Sequence, residues 1–156
     1  MDTQVGSNIE IAKKYLDEGL TVGIPTETVY GLAANAFDEN AVSQIFKIKN
    51  RPAFDPLIVH VADLETVRKM VTHIPENAKK LAKEFWPGPL TLILNKSPRI
   101  SDLVTSGQST VGVRIPRHPL TLDLLRSLEY PLAAPSANPF KYVSPTSARH
   151  VKNQLG

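Results

Sequence analysis

The sequence contains no cysteine. That excludes disulfide frameworks and thiolate metal sites, and it suits a reducing cytoplasm, the compartment expected here. No apolar run is long enough to span a bilayer. The first nineteen residues, MDTQVGSNIEIAKKYLDEG, lack the apolar core of a secretory signal. There is no GxxxxGK[ST] and no GxGxxG, so neither the P-loop nor the dinucleotide fingerprint is available. The four histidines, His60, His73, His118 and His150, show no HExxH spacing, and no protein-side metal site is expected. A GxSxG nucleophile elbow is missing as well. A nucleotide bound by this chain would need a different loop architecture.

What remains is an ordinary globular composition. The 156 residues are 42% hydrophobic and 21% charged, enough for one domain spanning 1–156. The net charge of +3 permits a polyanion partner without requiring one. Ile9, Ala12, Tyr15 and Leu16 recur at helical spacing, with Gly19 as a C-terminal stop. Asp38 is a good N-cap for a helix carrying Ala41, Val42, Ile45, Phe46 and Lys49. The Arg51-Pro52 pair is expected to end that helix, since the residue before proline avoids the α region. Strands are expected over 20–25, 56–62, 90–95, 110–115 and 131–134, with 28–35 a strand or extended loop. Helices are expected over 64–70, 76–85 and 120–128, and from 146 onward. This alternation predicts an α/β fold with a mixed sheet. The 13 prolines fall at element ends, as rigid corners should.

Four stretches carry chemistry. In Pro25-Thr26-Glu27-Thr28-Val29-Tyr30-Gly31-Leu32, two hydroxyls and a carboxylate stand at a strand end. They suit an amino-acid ammonium and hydroxyl, or simply a hydroxyl-bonded turn. In Lys47-Ile48-Lys49-Asn50-Arg51-Pro52, a broken helix lets Lys49 and Arg51 converge on one anion, a point charge plus a fork. The alternative is a pair of solvated cations complementing a helix C-terminus. Thr110, Gly112 and Arg114 share one strand face, and the charge of Arg114 requires a cleft, a ligand carboxylate or an internal salt bridge. Ser136 and Asn138, two apart between prolines, offer a hydroxyl and an amide to a phosphate or base, or make a turn.

Taken in order, PTETVYGL, KNRP, PLIVHV, FWPGPLTL, STVGVRIP and APSANP with SPT resemble the Sua5/YciO/YrdC family across nearly the whole chain. Lys49 and Arg51 match its KxR motif, and Ser136 and Asn138 match its SxN motif. The resemblance implies a YrdC-like twisted mixed sheet flanked by helices, with a large basic concave cleft. It implies L-threonylcarbamoyladenylate synthase activity: L-threonine, bicarbonate and ATP give threonylcarbamoyl-AMP and pyrophosphate. The product would feed tRNA t6A37 modification through a separate threonylcarbamoyltransferase. Carried over by position, Lys49 and Arg51 would be catalytic. ATP would be held by Lys49, Arg51, Asp55, Thr110, Ser136, Asn138 and Ser144. Threonine would be held by Thr28, His60, Arg114 and the backbone of Ala134. Mg²⁺ would arrive with ATP. Asp55 stands where the family usually has Asn, and Lys141 where relatives often carry Gly. The family domain continues with further strands, so the chain is expected to lack its C-terminal strands. Two other readings are a carbamoyl-adenylate-forming carbamoyltransferase domain and a non-catalytic module binding tRNA or double-stranded RNA. On the synthase reading, Ala at Lys49 or Arg51 should reduce adenylate formation far more than stability.

Overall fold

A computed structural model describes residues 3–156. In chain order its elements are α1 (Ile9–Asp17), β1 (Val22–Ile24), β2 (Gly31–Asn35), α2 (Glu39–Lys49), β3 (Ile58–His60), α3 (Leu64–Met70), α4 (Glu76–Phe85), β4 (Leu92–Asn95), α5 (Asp102–Thr105), β5 (Thr110–Arg114), α6 (Pro119–Ser127), β6 (Leu132–Ala133) and α7 (Ala148–Leu155). The strands form one six-stranded sheet in the order β1-β2-β6-β3-β5-β4. All pairs are antiparallel except β3 with β5, so the expected mixed α/β sheet is present.

Local chemistry sets where the helices begin. Side-chain oxygens of Asn8, Asp38, Asp63 and Ser147 accept backbone N–H groups of the first turns of α1, α2, α3 and α7. Each satisfies a donor that has no partner within its helix. The end of α2 differs from expectation. Asn50 takes a left-handed conformation, φ 50°, before the proline is reached. Its N–H reaches Lys47 O at 3.2 Å, and the Arg51 N–H reaches Phe46 O at 2.9 Å. This is a Schellman closure with asparagine in the glycine position, and Pro52 merely prevents resumption. The expected strands are real but shorter, and the one-turn helix α5 was not foreseen.

Strand alternation sorts the side chains onto two faces. One face carries Leu32, Ala34, Val59, Val111, Val113, Leu92, Leu94 and Ala133. It is covered by apolar residues of α2, α3, α4, α5 and α7. The other face is covered only in part. Ile24, Ala33, Leu132 and Ala134 pack there against Leu16 of α1 and Leu124 and Leu125 of α6. Further along the same face, Ile58, Thr110 and Gly112 remain partly exposed, and Ile93 is 64% exposed. The sheet therefore has a core on one side and, beyond α1 and α6, an uncovered apolar strip on the other.

Candidate active site

The register places two of the expected site residues side by side at the end of this strip. His60 of β3 and Arg114 of β5 are direct partners in the parallel pair. Both are buried, at 3% and 8% exposure. Thr110 and Gly112 continue the same face of β5. A Cβ at Gly112 would press on Thr91 Cγ2 at 3.3 Å and Ile93 Cδ1 at 3.4 Å, so glycine keeps the strip low.

Arg114 is held from three directions. Its Nε donates to Gly88 O at 3.2 Å, and Nη2 pairs with Glu27 Oε1. Nη1 and Nη2 lie 3.4 and 3.3 Å from Thr28 Oγ1. The internal salt bridge weighed against a ligand carboxylate is thus present, and its partner is Glu27. Glu27 Oε2 also accepts the Arg117 backbone N–H. The loop bearing these groups is pinned locally: Thr26 Oγ1 donates to Val29 O at 2.6 Å and accepts the Thr28 N–H at 3.2 Å. Thr121 Oγ1 adds a bond to Pro25 O at 2.5 Å. Thr28 itself stays exposed at the tip. Burial lowers the Arg114 pKa, although a guanidinium stays charged at any ordinary pH.

His60 sits in a different electrostatic setting. Burial pulls its pKa from 6.5 to about 4, so the imidazole is neutral at pH 7. Its Nδ1 is buried without a hydrogen-bond partner. A buried polar atom of this kind is uncommon, and it belongs to the strand position paired with Arg114.

The second half of the site lies around the Ser136 segment. The isolated bridge of Gly31 with Ser136 and the bond from Leu32 N to Pro135 O at 2.8 Å extend the sheet edge into it. Lys49 lies under this segment, 1% exposed, and its Nζ donates to the carbonyls of Ser136 and Asn138. Burial, then the nearby Arg51 charge, lowers its pKa to about 8, against a smaller opposing effect of Asp55. The lysine expected to leave the helix toward an anion instead turns inward and clamps two backbone carbonyls. Asn138 is also buried; its Nδ2 donates to Pro139 O at 2.8 Å and Tyr142 O at 2.9 Å, while Oδ1 has no partner. The Ser136 side chain is half-buried and Ala134 is fully buried, its N–H on Ile58 O at 2.9 Å. Ser144 is half-buried close after them.

Arg51, directly after Asn50 and part of the Schellman closure, keeps its side chain 12% exposed. Nη2 pairs with Asp55 Oδ2 at 2.9 Å and donates to Pro56 O at 3.0 Å, and Nε donates to Asp55 O at 3.2 Å. Phe140 lies against its guanidinium, 6.0 Å to the ring centroid. Asp55 therefore meets its counter-charge within the chain. Among the described residues no group of three His, Asp or Glu could by itself hold a metal ion. No helix among them is long and apolar enough to cross a membrane.

Glu27, the carboxylate already grouped with Thr26 and Thr28 as suited to an ammonium, takes part, and so does Gly88, which was not foreseen. Gly88 acts only through its carbonyl, which leaves no mark in the side-chain pattern.

A family model named for Sua5, YciO and YrdC, described as telomere recombination, matches residues 14–156. The threonylcarbamoyl-AMP synthase of Pyrococcus abyssi is 54% identical over 143 residues, covering 92% of this chain and 42% of that protein. The threonylcarbamoyl-AMP synthase of Bacillus subtilis is 50% identical over 145 residues, covering 92% of this chain and 42% of that protein. The crystal structure of P. abyssi Sua5 complexed with L-threonine superposes with a TM-score of 0.93 at 50% identity, covering 97% of this chain and 45% of that one. The chain spans less than half the length of these relatives.

Proposed function

Because the chain belongs to the Sua5/YciO/YrdC family, we propose that its site joins L-threonine, bicarbonate and ATP into threonylcarbamoyl-AMP and releases pyrophosphate. The product serves tRNA t6A37 synthesis, completed by a separate threonylcarbamoyltransferase. The observation that carries this reading is the pairing of Arg114 with His60 at the end of an uncovered strip, beside Thr28. Relatives that are half identical bear the synthase name, and one of them was solved with L-threonine bound.

The roles follow from the groups available. Arg114 has five N–H donors; Gly88 O and Glu27 take one each and Thr28 Oγ1 takes one from each of Nη1 and Nη2, which leaves one free and two on a hydroxyl that a ligand can replace. These take the amino-acid carboxylate, and the Thr28 hydroxyl borders the same place. Neutral His60 offers a hydrogen bond without adding a second positive charge. The Ala134 backbone closes the floor. Thr110, Ser136 and Ser144 supply hydroxyls for the nucleotide, and Arg51 supplies the cation for its phosphates. Asn138 and Lys49 hold the segment that presents Ser136.

Bicarbonate takes up a proton and loses water to give carbon dioxide; the threonine nitrogen then bonds to that carbon as one C=O π bond opens and loses a proton, giving an N-carboxylate. That oxygen then bonds to the α-phosphorus while the bond to the β-phosphate oxygen breaks, and pyrophosphate departs. No covalent bond to the protein is required, so positioning and charge stabilisation supply most of the acceleration. Mg²⁺ would come with the triphosphate, and Asp55, whose carboxylate is shared with Arg51, is the side chain that would hold it. Bound there, the ion would neutralise developing charge on the leaving pyrophosphate.

Pyrophosphate release tests the reading. Release should require threonine and bicarbonate together and should stop when either is omitted. Release dependent on carbamoyl phosphate would point to a carbamoyltransferase. Salt-sensitive RNA binding with no turnover would point to a nucleic-acid module.

A further inference from the structure

Glu27 is a half-buried carboxylate at this site, and the roles above leave it without a task toward the substrate. Its side chain is 19% exposed and that of Arg114 is 10% exposed, so the pair forms one wall of the site rather than a surface contact. An ionised carboxylate accepts about four hydrogen bonds. Two partners are present here, Arg114 Nη2 and the Arg117 backbone N–H. Lone pairs therefore remain next to a guanidinium that keeps one unused donor and two on the Thr28 hydroxyl. The result is a fixed plus beside a fixed minus, with the Thr28 hydroxyl at the border. An α-amino acid carries its own plus beside its own minus, on neighbouring atoms.

Resting on the synthase reading, we propose that Glu27 is the specificity-determining residue for the substrate amine. Arg114 takes the carboxylate, and Glu27 accepts from the ammonium on the adjacent atom. The site then selects primary α-amino acids over hydroxy acids of the same shape. Glu27 has a second effect. It balances the Arg114 charge, so a doubly anionic ligand gains less there than at an isolated arginine. The backbone anchor at Arg117 and the hydroxyl-bonded turn at Thr26 keep the carboxylate in place when a ligand arrives, so Glu27 acts as a fixed wall and not as a plug that the ligand expels.

Titration calorimetry with L-threonine and with 3-hydroxybutanoate, which is threonine without its amine, distinguishes this from a structural role. The unaltered chain should bind threonine roughly tenfold to a hundredfold more tightly, the range of one hydrogen bond to a charged group. In Glu27→Gln, an isosteric change that retains an oxygen for the Arg117 N–H, that preference should collapse. Threonine affinity should fall while 3-hydroxybutanoate holds or improves. Should Glu27→Gln fail to fold, Glu27→Asp keeps the charge and should keep the preference for the amine. Equal weakening of both ligands in Glu27→Gln would mean that Glu27 only props up Arg114, and the proposal would be wrong while the synthase reading stood. A preference for threonine lost in Glu27→Asp also overturns it. No threonine binding by the unaltered chain would remove the synthase reading, and this inference with it.

Discussion

Replacing Lys49 by Met should destabilise the fold by about 2–4 kcal/mol, the range for depriving two buried acceptors of their donor. The argument starts from where the amine lies. Lys49 is 1% exposed, and its Nζ is shared between the carbonyls of Ser136 and Asn138. Methionine fills nearly the same volume, so cavity formation contributes little. What is lost is the donor, and two backbone carbonyls are left without it. The variant also escapes the penalty of burying an ammonium, the same penalty that pulls the Lys49 pKa to about 8, and this offsets part of the loss. The segment most affected is the one that carries Ser136, so nucleotide affinity should fall along with stability. Urea denaturation at pH 7 measures the first effect. A change within about 0.5 kcal/mol, as for an exposed helix-end cation, would mean that the clamp does not exist in solution. For Lys49 this prediction replaces the expectation from sequence that its substitution would spare the fold.

Acidification should expose the second large effect, at His60. The folded pKa is about 4 and the unfolded value is near 6.5. As the pH falls below 6.5, the unfolded chain takes up this proton first. Stability from the neutral buried imidazole is therefore complete above about pH 6.5. It declines between 6.5 and 4, and no further change comes from this group below 4. The full decline is about 3 kcal/mol by the same linkage. Carboxylates titrate in part of this window too, so the comparison with His60→Gln isolates the histidine. The difference in unfolding free energy between the two chains should shrink by about that amount from pH 7 to pH 4. Parallel pH curves for both chains would show that His60 is hydrated and titrates normally.

These two residues also mark what could be read from the chain alone. Helix starts were legible because their signals are local: Asp38 caps α2 through its own side chain, as its position before the apolar pattern suggested. The alternation along β5 placed Arg114 on a face with Thr110 and Gly112, and the register agrees. That a charge there must meet a cleft, a ligand or a counter-charge followed from burial alone. Its partner did not, because Glu27 lies 87 positions away and only the β5-to-α6 corner brings the two together. The clamp of Lys49 was hidden for the same reason: backbone carbonyls 87 and 89 positions distant carry no side-chain signature. The end of α2 was placed correctly but for the wrong cause, since Asn50 adopts the left-handed turn and the proline stands beyond it. Helix α5 spans four residues, too few for any periodicity to appear.

The neutral histidine and the lysine clamp share one consequence. His60 is neutral and the Lys49 ammonium is turned onto the Ser136 and Asn138 carbonyls, which leaves the guanidinium groups of Arg114 and Arg51 as the cations the proposed function draws on. On the proposed function the two cations would divide the ligands between them, one taking the amino-acid carboxylate and the other the phosphates. A crystal structure of this chain grown with L-threonine and a non-hydrolysable ATP analogue tests that division most directly. The amino-acid carboxylate should lie on Arg114 beside Thr28 and His60, with the phosphates near Arg51 and Ser136. Threonine bound away from Arg114, or phosphates gathered elsewhere while Arg51 stays only with Asp55, would contradict the account.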